Sequence, residues 1–421
     1  MIQTTQILPG VTLRCCRDTR FKQGCMSIQF VRAMDPAEAH LNALLPSVML
    51  RATIPHPDMR AIGQHLDSLY GVSLGALVRR VGDYQTVGFY LSFMDDRFAL
   101  PGESVLSGVL AFMGEVFTQS PLLDGGFLPD IVQSEKKNLI ATIESELNNK
   151  SAYAMGKLLK SMCREDTFGL PRLGEKENVA TITPQELYDH YLRIRRESPM
   201  EIFYVGSADS ATIADLLKPL VTAWERSYVN LPAQTGFHSV AGSHWSEEMD
   251  IAQGKLCMGF TTSITNRMPE FPAMQVANTI LGAGMTSKLF LNVREKLSLC
   301  YSVGSSYYGT KGIVTVSAGI DFEKEQQARE EILRQLDACK SGDISEAELS
   351  AAKAALCSSL RATHDSPGAI EGYYSTSALS GMGLTPEKYM EAVEGLTLEQ
   401  VVAAANTIEY HSSFFLKGVE E

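Results

Sequence analysis

The chain has 421 residues, 45% hydrophobic and 20% charged, a globular balance that excludes disorder and fibre. At about 150 residues per domain, that length predicts roughly three domains or two large ones. Lys and Arg number 37 against 49 Asp and Glu, giving a net charge of −12, so the dense cationic surface of a nucleic-acid-binding protein is not expected.

The opening residues, Met1-Ile2-Gln3-Thr4-Thr5-Gln6, lack a basic segment followed by an apolar core, so no secretion signal is read there. The most apolar helical stretch, Val105 to Phe117, is broken by Ser107, Gly108, Gly114 and Glu115. It falls short of the ~18 apolar residues a membrane span requires, so no membrane association is expected. The 8 cysteines are scattered and form no C-x-x-C pair, which predicts a reduced, cytoplasmic protein.

In chain order, Gly10–Arg14 and Met26–Val31 read as strands, followed by a helical pattern from about Pro36 to Ala52 and a helix from Asp58 to Leu69. Tyr70-Gly71 signals a turn, and strand-like text returns at Val72–Leu77 and Thr86–Phe93. Helices fill Ser104 to Cys163. Thr183-Pro184-Gln185-Glu186 opens another, with Thr as N-cap, Pro in the first turn and Glu at the capping-box position. Ile202–Gly206 closes the first half as a strand. Residues 227–246 have little periodicity and contain Pro232, Gly236 and Gly242, so they read as a linker.

The second half repeats the outline. Leu256–Phe260 is strand-like, and helices follow at Glu270–Leu281 and Leu289–Lys296. Strands at Tyr301–Val303 and Ile313–Ile320 precede helices at Lys324–Cys339 and Ser345–Leu360. Thr397-Leu398-Glu399-Gln400 echoes the earlier helix start, and Ser412–Leu416 echoes the closing strand. The shared order predicts a duplicated α+β unit: domains at 1–226 and 247–421, each a sheet with helices on one face.

One stretch carries more than an element type. Ile280-Leu281-Gly282-Ala283-Gly284-Met285-Thr286-Ser287-Lys288-Leu289-Phe290 is followed by Val293-Arg294-Glu295-Lys296 and Leu299-Cys300-Tyr301-Ser302-Val303. It lacks the full G-x-x-x-x-G-K-[ST] spacing of a phosphate loop. It resembles the second-domain signature of the pitrilysin (insulinase-like) zinc peptidases, which include the mitochondrial processing-peptidase subunits. There the text runs roughly L-G-G-G-x-x-S-R-L-F, then L-R-E-K, then L-x-Y-S-V. The resemblance covers nearly the whole chain. It implies tandem domains with antiparallel-rich sheets, of the LuxS/MPP-like metallohydrolase fold, forming half of a clamshell. It also implies that Arg294 and Tyr301 face substrate, where a guanidinium and a phenol can hydrogen-bond a scissile carbonyl and its oxyanion. For an arbitrary Arg and Tyr the plain alternative is a solvated helix residue and a packed strand residue.

Active members of that family carry H-x-x-E-H on the first long helix, two His at i and i+4 gripping Zn²⁺ and a Glu activating water. Aligned on the turn after the helix, the two His positions here are Ala43 and Ser47, and the base position is Pro46. None can bind zinc or take a proton, and a proline inside a helix costs ~3 kcal/mol, so the helix is expected to kink or begin near it. The third-ligand position aligns with Thr142, with Glu144 two residues away. The eight histidines, His40, His56, His65, His190, His238, His244, His364 and His411, include no i, i+3 or i, i+4 pair, and are read as solvated or capping. Adjacent Cys15 and Cys16 on a strand would give one buried and one exposed thiol, and Cys300 reads as packing.

The resemblance therefore implies a zinc-less member with no cofactor and no catalytic residue of its own. Three functions stay open. The first is the non-catalytic subunit of a heterodimeric zinc peptidase, paired with a zinc-bearing paralogue with intact H-x-x-E-H, enclosing a peptide and donating Arg294 and Tyr301 in trans. The second is a peptide-binding or scaffolding homodimer; a short bacterial zinc-less type in the family points to elongation factor P modification. The third is an enzyme using chemistry the motifs do not reveal.

Overall fold

A computed structural model describes residues 2–238 and 240–419, apart from the side chain of Leu147. Strands β1 (Ile2–Leu8), β2 (Val11–Arg17) and β3 (Gln23–Ala33) lead into helices α1 (Ala39–Met49) and α2 (Met59–Ser68). Strands β4 (Ser73–Val81) and β5 (Tyr84–Met94) precede α3 (Val105–Thr118), the two-residue strands β6 (Leu122–Leu123) and β7 (Gly126–Phe127), α4 (Pro129–Ser145), α5 (Lys150–Met162), α6 (Lys176–Thr181) and α7 (Pro184–Glu197). β8 (Met200–Gly206) and α8 (Ser210–Thr222) end the first half. The second contains β9 (His244–Glu248), β10 (Gly254–Thr261), α9 (Phe271–Leu281), β11 (Cys300–Tyr308) and β12 (Ile313–Ile320). Helices α10 (Glu325–Ser341), α11 (Glu346–Ala362), α12 (Pro367–Ser380), α13 (Pro386–Glu394) and α14 (Leu398–Asn406) and strand β13 (Glu409–Lys417) complete it.

The chain is an α+β protein with two mixed, mainly antiparallel sheets bearing helices. The first has the order β1-β2-β8-β3-β5-β4 and the second β11-β12-β10-β13-β9. In each, one parallel pair, β2 with β8 and β13 with β9, interrupts antiparallel neighbours. Contact density divides the molecule into two compact units that are discontinuous in sequence. One comprises residues 1–144, 171–233 and 364–376, the other 145–170, 234–363 and 377–421.

The alternation of β3 explains the discontinuity in the first unit. Met26, Ile28 and Phe30 point into a core with Leu44, Phe89, Phe112 and Phe117. The intervening Cys25, Ser27 and Gln29 point to the other face and are also buried, at no more than 1% exposed. Their cover is the 364–376 segment. Ile370 packs with Cys16, Cys25 and Val205. The fully buried Glu371 accepts from Ser27 Oγ at 2.6 Å and from both Nη atoms of Arg79 at 2.8 Å. Gln29 Nε2 donates to Ser375 Oγ at 3.1 Å. Cys16 is therefore buried like Cys15, and the expected exposed thiol is corrected: both faces of the sheet are covered, so strand alternation exposes neither.

The second unit is built the same way. Cys257 of β10 packs against Ala154 and Leu158 of α5, together with Phe414 and Leu416. A Cβ at Gly259 would meet Met162 Sδ at 2.6 Å, so glycine permits that close approach. A buried ion pair secures the segment: Lys311 Nζ lies 2.9 Å from Asp166 Oδ1, both side chains at most 1% exposed. Asp166 also accepts the Phe168 and His238 amides at 2.8 and 3.1 Å.

Thr183–Glu186 and Thr397–Gln400 both form the reciprocal capping boxes read from sequence. Two details differ. The strand β9 begins at His244, inside the stretch read as linker. Helix α1 does not begin at Pro46. It starts at Ala39, where Ala39 N donates to Asp35 O at 2.9 Å and Asn42 N to Glu38 O at 2.9 Å. Pro46 sits near its end, where one missing intrahelical bond is offset by a helix buried along most of its length.

Candidate functional site

The two halves of the sequence signal occupy different units. In the first, Ala43 and Pro46 are buried and Ser47 is half-buried on α1. Ala43 and Pro46 bring no ligating atom, and Ser47 brings only a neutral hydroxyl. On α4, Thr142 Oγ1 donates to Asn138 O at 2.9 Å, and the neighbouring Glu144 pairs with Lys176 Nζ at 2.9 Å. Glu135 shares one face of α4 with Asn138 and Thr142, and no sequence motif marks it. It is 5% exposed and holds Arg51, just beyond α1, at 2.5 Å. Where a zinc peptidase needs two imidazoles and a carboxylate, the aligned positions here hold an apolar pair and two hydroxyls, and the neighbouring carboxylates are already spent on cations. The residues do not fit zinc. Among the described residues no group of three or more His, Cys, Asp or Glu side chains is placed to hold a metal.

The histidines are not all solvated or capping, as sequence suggested. His190 is 3% exposed. Its Nε2 meets Asn42 Oδ1 at 2.8 Å, while Asn42 Nδ2 donates to Gln85 Oε1 at 2.8 Å. Asn42 therefore presents an acceptor, and His190 Nε2 carries the proton. Nδ1 accepts from Arg193 Nη2 at 2.8 Å. Burial, reinforced by the Arg193 charge, pushes this imidazole down to about 3. His56 Nδ1 lies 2.9 Å from Glu115, and its ring lies 4.5 Å from that of His65, tilted by 39°. His244 sits in β9, 3.3 Å from Glu325. Buried polar partners of this kind come from remote sequence and leave no local signal.

In the second unit the glycine-rich motif divides into scaffold and exposed groups. A Cβ on Gly282 would meet Ser305 Oγ at 2.7 Å and Leu289 Cδ1 at 2.8 Å, so a side chain cannot be added without displacement. Ser287 Oγ donates to Gly284 O at 2.6 Å. Lys288 is buried and pairs with Glu348 at 2.8 Å, at the capping box that starts α11. Neither Ser287 nor Lys288 is free to cradle phosphate.

Arg294 and Tyr301 lie on two irregular pieces of backbone. Leu289–Lys296 is a π-helix, closed by the Leu297 amide on Asn292 O at 3.1 Å. Such segments are rare and recur at functional sites. The Arg294 side chain is 40% exposed, lies over the Phe290 ring at 4.7 Å and pairs with Glu295 at 3.3 Å. Ser298 N donates to Arg294 O at 3.1 Å, with Ser298 in the left-handed region at φ 49°. The β11–β12 ladder pairs Cys300 with Ile320 and Ser302 with Gly319, leaving Tyr301 as the extra residue of a β-bulge. A bulge re-aims the side chain it carries, and Tyr301 is 61% exposed. Its hydroxyl donates to Asp321 Oδ1 at 3.0 Å, and that hydrogen bond raises the phenol's pKa. Cys300 is buried as expected, and burial pushes its thiol up to about 11.

A duplicated α+β architecture, Ala43, Pro46 and Ser47 at the positions the resemblance assigns to the metal motif, and an Arg/Tyr pair after a glycine-rich turn together resemble a peptidase-like protein without its metal site. The chain is similar to inactive-domain proteins of the M16 peptidase family, the insulinase-like group. The model of the peptidase M16 inactive domain matches residues 181–356. The "Probable inactive metalloprotease YmfF" of Bacillus subtilis (strain 168) is 29% identical over 412 residues, covering 98% of this chain and 96% of the relative. A conserved protein from Enterococcus faecalis V583 superposes with a TM-score of 0.91 at 26% identity, over 100% of this chain and 99% of that one. A peptidase M16 inactive domain from Pseudomonas fluorescens gives 0.81 at 19% identity, over 100% and 98%. Among the described residues no helix is long and apolar enough to cross a membrane.

Proposed function

We propose that the chain is the non-catalytic subunit of a heterodimeric zinc peptidase, paired with a paralogue that carries intact H-x-x-E-H. In this reading it helps enclose a peptide and donates Arg294 and Tyr301 in trans to the partner's zinc site. The observation that carries the proposal is the contrast between the two ends of the motif. The metal positions Ala43, Pro46, Ser47 and Thr142 hold no usable ligand set, whereas Arg294 and Tyr301 are displayed on a π-helix and a β-bulge. Irregular backbone of this kind is costly to keep and recurs where side chains must be aimed at a ligand. A guanidinium and a phenol placed on a developing oxyanion stabilise it without any proton abstraction of their own. The eight free, buried cysteines support a reducing, cytoplasmic setting.

Co-purification of the tagged chain from its native host, followed by identification of the bound protein, tests the pairing. Stoichiometric recovery of a paralogue with intact H-x-x-E-H is expected. Recovery of a stable homodimer with no such partner refutes it and favours the peptide-binding or scaffolding homodimer, including its link to elongation factor P modification.

A further inference from the structure

We propose that Asp321 is a latch on Tyr301, holding the phenol's single proton in the free chain and yielding it when an acceptor ligand, the backbone carbonyl of an extended peptide, arrives. The inference rests on the reading of Tyr301 as a ligand-facing donor. A phenol has one O–H and otherwise offers lone pairs. With that hydrogen committed to Asp321 Oδ1 at 3.0 Å, Tyr301 presents only acceptor character to solvent. It cannot donate to a carbonyl until the contact with Asp321 breaks.

The surroundings suit a contact that opens. Tyr301 is the unpaired residue of the bulge, so its side chain can swing without breaking a rung between β11 and β12. All three partners are exposed: Tyr301 at 61%, and the Asp321 and Lys324 side chains at 44% and 38%. Asp321 is not stranded when Tyr301 leaves, because its other oxygen lies 2.8 Å from Lys324 Nζ. Lys324 Nζ also donates to Ser298 O at 3.2 Å, tying the carboxylate to the left-handed turn three residues before Tyr301. Lys324 therefore offsets the charge that grips the phenol and weakens the latch. Asp321 acts through Tyr301 and is a positioning residue.

This arrangement gives opposite signs to two neighbouring substitutions, which a purely structural role does not. Asp321→Ala removes the latch, whereas Lys324→Met leaves Asp321 a stronger acceptor. The full chain, labelled with [ζ-¹³C]tyrosine and with Tyr301 assigned by its loss in Tyr301→Phe, is titrated by NMR. Anisotropy with fluorescein-labelled, dephosphorylated β-casein, an unstructured polypeptide, reads ligand binding by the same variants. The expected result is a Tyr301 titration that falls to that of an unperturbed tyrosine in Asp321→Ala, with casein bound roughly two- to fivefold more tightly, the span of one exposed charged contact. Lys324→Met should bind more weakly, and Tyr301→Phe should erase the gain in the Asp321→Ala background. An unmoved Tyr301 titration overturns the latch. A shifted titration with unchanged casein affinity overturns the release. If no variant, wild type included, binds casein, the reading of Tyr301 as a peptide-facing donor falls and the release falls with it. Binding without a difference among variants sinks the inference alone.

Discussion

Lowering the pH from 8 to 5 should remove about 2 kcal/mol of stability from the first unit through His190 alone. The imidazole is wedged between the Asn42 carbonyl oxygen, which takes the Nε2 proton, and the Arg193 guanidinium, which donates to Nδ1. A second proton would place an N–H against a cation in a buried site, so the folded-state value is held near 3. Unfolded, the same group titrates near 6.5. The folded value is depressed for a base, so the unfolded state binds more protons below pH 6.5. The stabilisation is fully present above that value and is lost as pH falls from about 6.5 toward 3. At pH 5 the difference amounts to a factor of about 30 in the folding equilibrium, or about 2 kcal/mol. Urea unfolding of a Trp245→Phe chain isolates the signal of Trp224, which lies in this unit with its indole N–H on Arg195 O at 3.2 Å. Stability change between pH 8 and pH 5 is compared for that chain with and without His190→Gln. A loss about 2 kcal/mol smaller in the His190→Gln chain is expected. Equal pH dependence in the two chains would refute the neutral, Nε2-protonated assignment.

Three further outcomes follow from packing. Lys311→Met should destabilise the second unit by roughly 3–5 kcal/mol in urea unfolding followed by Trp245, because it strands the buried Asp166 carboxylate; a cost below about 1 kcal/mol would contradict the buried pair. Gly282→Ala should cost on the order of 1–3 kcal/mol in the same assay, since the added methyl meets Ser305 and Leu289 below 3 Å. Ellman's reagent at pH 8 should find no fast-reacting thiol in the native chain, and all 8 after unfolding. Burial pushes Cys15 up to about 11 and Cys25, Cys257 and Cys339 up to about 12, which suppresses the reactive thiolate.

Local features were legible wherever one short segment determines the structure. The capping boxes at Thr183 and Thr397 and the strand Ile313–Ile320 could be read from residue type and spacing. That Ala43 and Pro46 carry no ligating side chain is equally plain from residue type, because neither can coordinate wherever the backbone places it. What escaped depends on distant partners. The sequence of β3 does not announce that Ser27 and Gln29 will be covered by Glu371 and Ser375, so strand alternation predicts one exposed thiol among Cys15 and Cys16 where the structure buries both. β1 (Ile2–Leu8) has weak polar alternation and owes its strand state to pairing with β2. β9 is short, alternates half-buried and exposed residues, and reads as linker until β13 is beside it. The π-helix and the bulge each depend on a single extra residue, which periodicity cannot register, yet they aim Arg294 and Tyr301.

Turnover by a reconstituted pair is the sharpest test of the proposal that Arg294 and Tyr301 act in trans on a partner's zinc site. The chain is combined with a zinc-bearing paralogue from the same genome, and cleavage of a quenched fluorescent peptide is followed by each protein alone and by the pair. The account predicts activity that requires both chains. Tyr301→Phe should lower kcat on the order of 10²–10³-fold while the pair still assembles. Arg294→Ala should lower it comparably and also weaken peptide binding. Full turnover by the pair with both substitutions in place would contradict the account and leave the two residues structural.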